Sequence, residues 1–255
     1  MANYDAFAKV YDAAMGDAEP KFSQIKTWIR RYHPEAKTVL ELACGSGNIL
    51  RGLADDYEVT GLDLSQPMLA IARSKVPQAK LVHGDMTDFD LRQTFDVVIC
   101  VFDSINHLPR FDQWTAVLER AEAHLSPGGL FIFDFNTIGR LKRLISWPPH
   151  IQHLGQDYLI MTVEAGHNVV SNWNLKIFET AGNGKFTLHE ENIIENSFEP
   201  DEVLAAVRRR FEILETIEQQ YDPATVDADR IHVIARKLGN PGVAMLRRKL
   251  LFLVG

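Results

Sequence analysis

Val39-Leu40-Glu41-Leu42-Ala43-Cys44-Gly45-Ser46-Gly47-Asn48 decides how this chain is read. A short apolar run of strand length meets two glycines and then a helical stretch over about residues 48–55. Glycine lets a backbone approach a ligand closely, and a helix N-terminus offers free N–H groups and positive partial charge. By itself such a turn is also what any tight strand-to-helix connection looks like, so the flanking sequence has to decide.

Downstream the same unit repeats. Tyr57–Leu62, Lys80–His83, Phe95–Val101 and Leu130–Phe135 read as further strands. Ser65-Gln66-Pro67 opens one intervening helix, with Ser65 as N-cap, and Phe111–Leu125 forms another with Trp114, Val117, Leu118, Ala121 and Leu125 on one face. Ser126-Pro127-Gly128-Gly129 is expected to turn the chain into the fifth strand. Upstream, Tyr4, Phe7, Val10 and Tyr11, then Phe22, Ile25, Trp28, Ile29 and Tyr32, recur at helical spacing, and His33-Pro34 ends the second helix. Alternating strands and helices predict a parallel sheet covered on both faces.

Near residue 150 the period changes. Tyr158–Glu164, Val169–Glu179 and Lys185–Ile194 alternate apolar with polar, separated by Gly166-His167-Asn168 and Gly182-Asn183-Gly184, which predicts a three-stranded antiparallel insert. A helix from about Glu199 to Arg209 and strands Phe211–Gln219 and Arg230–Arg236 complete the expectation.

The candidate chemistry collects at the carboxyl ends of the strands. Sixteen residues after Gly47, the second strand ends in Gly61-Leu62-Asp63, where an acidic side chain is placed to accept both hydroxyls of a ribose. The third ends in His83-Gly84-Asp85-Met86, and the fourth runs into Phe102-Asp103-Ser104-Ile105-Asn106-His107-Leu108. Ligands of open α/β sheets sit beyond these ends, so the motifs converge on one crevice.

Taken together, Thr38 to Asn136 resembles the core of the class I S-adenosylmethionine-dependent methyltransferases, small-molecule type. Glu41 to Asn48 is similar to their glycine-rich first motif, although Ala43 stands where many members carry glycine, and Gly61-Leu62-Asp63-Leu64-Ser65 is similar to the acidic second one. Gly84-Asp85-Met86, Phe95-Asp96-Val97-Val98 and Leu125-Ser126-Pro127-Gly128-Gly129 resemble the later ones. The resemblance implies a Rossmann-like, doubly wound, mostly parallel seven-stranded α/β sheet with the antiparallel insert after the fifth strand. It implies S-adenosyl-L-methionine as cofactor, with Asp63 on the ribose, Asp85 and Met86 on the adenine, and Ala43, Cys44, Gly45 and Gly47 along the methionine moiety. Glu41, Leu64, Met68 and Val101 complete the expected cofactor contacts, and Tyr11 of a lid-like first helix is expected over both cofactor and acceptor. Phe7 and Trp28 are expected only to pack. His107 resembles a histidine of sugar N-methyltransferases, where it serves as a proton acceptor or merely shapes the pocket; Asp103, Asn106 and His107 are the polar groups expected nearest to the acceptor.

The expected organisation is a helical lid at 1–36, a cofactor domain at 37–150 and 198–238, the insert at 151–197 and a tail at 239–255. In-line methyl transfer to nitrogen or oxygen of a small-molecule acceptor follows, with the insert as substrate roof or dimer surface. A formal charge of -7, from 27 basic and 34 acidic residues, counts against a nucleic-acid partner. Arg208-Arg209-Arg210 reads as a solvated helix end. Two cysteines, Cys44 and Cys100, fit no short-spaced metal set or disulfide framework, and Met1–Asp5 opens no signal peptide, so a cytoplasmic protein without metal is expected.

Rival readings are weaker. A dinucleotide oxidoreductase would need a third glycine where Leu50 stands. A base methyltransferase would need a proline-rich motif directly after the fourth strand, whereas Trp147-Pro148-Pro149-His150 follows the fifth. An RNA or protein methyltransferase, or a cofactor-binding partner subunit without turnover, remains the alternative. The apolar, basic run Met245–Val254 suits a docking or homodimer contact.

Overall fold

A computed structural model describes Tyr4 and residues 6–220 and 228–239. The tail run Met245–Val254 lies outside the described residues. The chain begins with α1 (Ala8–Met15) and α2 (Glu19–Tyr32), then alternates β1 (Thr38–Leu42), α3 (Asn48–Leu53), β2 (Glu58–Asp63), α4 (Gln66–Lys75) and β3 (Lys80–His83). Next come β4 (Phe95–Cys100), a 3-10 turn (Ser104–His107), α5 (Phe111–Ala123), β5 (Leu125–Asn136) and α6 (Ile138–Ile145). The insert is β6 (His150–Leu154), β7 (Asp157–Ala165), β8 (Ser171–Gly182) and β9 (Lys185–Glu195), after which α7 (Pro200–Arg208), β10 (Phe211–Gln219) and β11 (Arg230–Lys237) return to the main sheet.

The seven-stranded sheet has the order β10-β11-β5-β4-β1-β2-β3, and only β11 runs against its neighbours. The chain reverses its direction of travel across the sheet between β4 and β1, the switch point at which such sheets open a crevice. Strand alternation sends Val39, Val97, Ile99, Ile132 and Ile234 to one face, against Ile25, Trp28 and Ile29 of α2, Leu50 and Leu53 of α3, and Leu69 of α4. Leu40, Val98, Phe131, Phe133 and Val233 go to the other, against Trp114 and Val117 of α5 and Val203 and Val207 of α7. Ser65 caps α4 as its sequence predicts, accepting from the Met68 N–H at 3.3 Å.

Four differences from the sequence reading stand out. The insert has four strands, not three, because β6 pairs with β7 from His150↔Met161 to Leu154↔Asp157. β6 lacks clean alternation, with only Gln152 and Leu154 half-buried, so the two-residue period that marks a strand is absent from its sequence. α6 was also not anticipated; eight residues with Arg140, Lys142 and Arg143 interrupting Leu141 and Leu144 give a short signal. Ser126–Gly129 is extended within β5 rather than a turn, with an irregular register where Phe95 faces Leu125 and Val97 faces Leu130. Finally, Arg210 does not end in solvent: it pairs with Glu119 and Glu122 of α5 (the latter at 2.7 Å), tying α7 to that helix.

Gly61 sits where β2 passes beneath the glycine loop, and a β-carbon there would fall 2.6 Å from Leu50 Cδ1 and 2.7 Å from Cys44 Sγ. Gly61→Ala is therefore expected to cost about 1–3 kcal/mol through overpacking. Urea unfolding at unchanged m-value checks this; an unaltered midpoint would mean that the loop yields freely.

Candidate active site

The carboxyl ends of β1 to β4 open into a cleft of about 710 Å³ lined by Tyr4, Tyr11, Ala43, Gly45, Asp63, Leu64, Met68, Met86, Phe102 and His107, among others. A second hollow of about 470 Å³ adds Glu41, Cys44, Ser46 and Val101, and shares Tyr11, Ala43, Gly45, Phe102 and Ser104 with the first. The two are lobes of one crevice.

Its floor is backbone held in unusual conformations. Ala43 and Gly45 have φ of 55° and 52°, so Ala43 accommodates the left-handed conformation that glycine would adopt more easily. Asp63 is buried and fixes this loop: Oδ2 accepts the Gly45 N–H at 2.7 Å and Oδ1 the Ser65 N–H at 2.8 Å. Burial raises the Asp63 carboxyl, and those two N–H groups with that of Leu64 oppose it. Each oxygen has lone pairs left for a ligand. Glu41, below the loop, is buried with Oε2 unpartnered and its carboxyl raised well above the usual range by burial and by Asp63. Oε2 is therefore able to accept from a cationic or N–H-bearing group at the cleft wall.

On the far side Phe102 and Asp103 both adopt positive φ, 58° and 53°. Asp134 of β5, fully buried, holds them there by accepting their N–H groups at 3.2 and 2.7 Å. Burial would raise Asp134, but the charges of Arg230 and Lys21 and the nearby His232 keep it far below the usual carboxylate range. Lys21 Nζ lies 3.0 Å from it, and Arg230 bridges from Asp134 to Asp103 and to Asn136 Oδ1. This bent loop presents His107. Its Nδ1 donates to the Ile194 carbonyl at 3.0 Å, which leaves Nε2 as an acceptor, and Tyr4 Oη donates to it at 2.9 Å. Burial lowers the His107 pKa more than the Ile194 bond and the Asp103 charge raise it, so the ring is neutral.

Of the residues expected from sequence, Tyr11, Glu41, Ala43, Cys44, Gly45, Asp63, Leu64, Met68, Met86, Val101 and His107 line the two lobes. Gly47 does not; it starts α3 at φ 78° and packs against Ala72. Asp85 stands between the lining residues Gly84 and Met86, its Oδ1 accepting from Thr87 N and Oγ1, both at 2.8 Å. Asn106 corrects its expectation: it is fully buried behind the cleft, Nδ2 donating to the Asn136 and Asn196 carbonyls and Oδ1 accepting the Asn136 N–H. With its amide fully engaged by backbone, it shapes the loop. Asp103 likewise faces Arg230 and Asn136. Phe7 and Trp28 are buried packing residues.

Tyr4, Asp134, Arg230 and Glu195 were missed. Asp134 alone carried a signal, a lone carboxylate inside an otherwise apolar strand. α1 is held over the cleft from two sides: Asp12 accepts from Ser46 Oγ at 2.6 Å and Asn48 Nδ2 at 2.8 Å and pairs with Lys75, while Phe7 and Val10 pack on Leu159, Leu175, Ile177 and Ile193 of the insert.

Residues 39–129 match a family model described as a methyltransferase domain. Over 119 residues the chain is 44% identical to dTDP-3-amino-3,6-dideoxy-alpha-D-glucopyranose N,N-dimethyltransferase of Streptomyces fradiae, covering 46% of this chain and 47% of that protein. It is 34% identical over 132 residues to a second amino-sugar N,N-dimethyltransferase, from Streptomyces venezuelae, covering 51% and 54%. The chain thus spans about half the length of these curated relatives. A solved S-adenosylmethionine-dependent methyltransferase from Clostridium acetobutylicum superposes with a TM-score of 0.80 at 22% identity, over 93% of this chain and 99% of that one, which establishes the common fold.

Proposed function

We propose that this chain, whose residues 39–129 form a methyltransferase domain, transfers a methyl group from S-adenosylmethionine to an amine of a small-molecule acceptor of the amino-sugar class. The observation that carries the reading is one cleft with the fixed Asp63 carboxylate in one part, the unpartnered Glu41 Oε2 in the adjoining lobe and the neutral His107 Nε2 at the far wall. These residues fit the cofactor. Asp63 would take the ribose hydroxyls, Met86 and Leu64 the adenine, and Glu41 with the loop Ala43–Gly45 the methionine end. The cofactor supplies an electrophilic methyl group on a sulfonium.

The chain's own residues have three tasks. Tyr11 and α1 cover the cleft and exclude water, so that attack proceeds from an aligned pair. His107 accepts the proton that the acceptor nitrogen must lose, and the Ile194 carbonyl keeps its ring in the required tautomer. The insert, which provides that carbonyl and packs on α1, roofs the acceptor. Cys44 and Cys100 are buried and unpaired, which supports a reducing, cytoplasmic setting. The insert's outer face, with Ile151, Phe186 and Leu188 exposed, is the surface we assign to self-association, to be read by light scattering.

The test is calorimetry followed by turnover with dTDP-3-amino-3,6-dideoxyglucose, read by mass spectrometry. S-adenosylmethionine and its demethylated product should bind and NAD should not; heat with NAD alone would overturn the reading. Asp63→Ala should weaken cofactor binding at least about tenfold, since it removes two charge-assisted bonds of about 1.5–3 kcal/mol each. An unchanged dissociation constant in a folded variant would take Asp63 out of the site.

A further inference from the structure

The last strand of the insert ends inside the catalytic wall. Besides the Ile194 carbonyl under His107, Asn196 N donates to the Asn106 carbonyl at 2.7 Å and Ser197 Oγ to the Asn136 carbonyl at 2.7 Å. Between them Glu195 is 4% exposed, with Oε2 accepting from Asn136 Nδ2 at 3.1 Å. The same Asn136 nitrogen donates to Asp103 Oδ2, also at 3.1 Å. One amide group therefore holds two carboxyls close together in a buried place.

Fastening β9 does not require this. A glutamine at 195 would accept the same bond without placing a second acid beside Asp103. The charged and titratable groups facing Glu195 are Asp103 from the loop after β4, Arg230 from β11, Arg140 from α6 and Tyr4 from the segment before α1. Arg230 is already committed to Asp103 and Asn136. Burial and the Asp103 charge push the Glu195 carboxyl up to about 8, so it keeps its proton at neutral pH.

Tyr4 and His107 line the cleft on this side, and the Tyr4 hydroxyl occupies the His107 Nε2 lone pair. Glu195 lies behind this wall, and its charge acts on the Tyr4 hydroxyl. An acceptor whose N–H takes the place of that hydroxyl at Nε2 therefore comes within electrostatic reach of Glu195.

We propose that Glu195 is a specificity-determining residue that selects a protonated amine as methyl acceptor, giving up its own proton to form the counter-ion of the incoming ammonium. The proposal rests on the amine-methyltransferase reading above. No covalent bond to carbon changes in this step: the carboxylic acid and R–NH3+ become a carboxylate–ammonium pair, and one proton leaves to solvent. His107 then takes a further proton from nitrogen, which frees the lone pair for attack. A hydroxyl acceptor brings no charge to balance the carboxylate, so it cannot drive the exchange.

The test uses Glu195→Gln, which retains the Asn136 bond, and Glu195→Asp, which retains the acid. With dTDP-3-amino-3,6-dideoxyglucose, Glu195→Gln should raise KM at least about tenfold, the effect of one charge-assisted contact, while kcat and cofactor affinity stay within about threefold. Calorimetry at pH 6.5 in buffers of different ionisation heat, with the demethylated cofactor present, should show about one proton released per acceptor bound by the wild type. Glu195→Gln should release none and Glu195→Asp should restore release. A wild-type enzyme that turns over the amine while Glu195→Gln matches it in KM and proton release overturns the role of Glu195 alone. A wild type that binds S-adenosylmethionine yet methylates no amino sugar overturns the amine reading, and this proposal with it.

Discussion

His107→Ala is expected to lower kcat by about 100- to 10,000-fold, the range of a lost general base, while cofactor affinity changes by less than about twofold. The imidazole is half-buried, its Nδ1–H is committed to the Ile194 carbonyl, and Nε2, which the Tyr4 hydroxyl must leave to an acceptor, is the basic atom on this side of the cleft. Burial lowers its pKa from the ordinary value of about 6.5. The neutral, competent form is therefore retained as pH falls until that lowered value is crossed. The profile of kcat/KM should show an acid limb below about pH 6.5, and the limb should vanish in His107→Ala. If the ring only shapes the pocket, activity should drop less than about tenfold and the limb should survive the substitution. Rapid-quench single turnovers at several pH values separate these outcomes.

Asp134→Ala should be the most destabilising single change, by about 3–5 kcal/mol, because it removes one member of a buried charge network and leaves the others uncompensated. Lys21 loses its counter-charge, Arg230 is left with Asp103 alone, and the N–H groups of Phe102 and Asp103 lose the acceptor that holds them at positive φ. The sign with pH follows from the direction of the shift. A carboxyl held below its unfolded value stabilises fully above about pH 4, and this contribution is lost as pH falls further. Urea midpoints between pH 3 and 6 should thus fall more steeply for the wild type than for Asp134→Ala. Parallel curves would show that the network contributes nothing to acid sensitivity. Activity should fall with stability, since the same carboxylate bends the loop that carries His107.

Local sequence reached far into this fold. The apolar runs of Thr38–Leu42 and Lys80–His83 begin and end where the strands do, and Ser65 caps its helix, because period, propensity and capping act over a turn or less. Asp63 was legible for the same reason, since a carboxylate at the end of a parallel strand has its position set by that strand. β6 escaped because it is short and largely exposed, and a segment that buries little carries little periodic pattern; α6 escaped because eight residues offer only two turns, although Leu141 and Leu144 are buried on one face. Asn106 was misplaced because the sequence puts its residue type in the right loop without revealing that three backbone groups take up its amide.

What tertiary structure alone decided is which groups meet and which protons they keep. Tyr4 reaches His107 across 103 residues, Arg230 reaches Asp103 across 127, and Asn136 joins Asp103 to Glu195. Glu41, Asp134 and Glu195 are all buried acids in or beside strands, and the sequence gives no means of telling their charge states apart. Arg230, His232 and Lys21 arrive beside Asp134 and hold it far below the usual carboxylate range, whereas burial, with Asp63 beside Glu41 and Asp103 beside Glu195, pushes those two carboxyls up. Residue type and spacing are properties of the chain; ionisation is set by the charges and dipoles within a few ångströms, and folding brings those from residues far away in sequence.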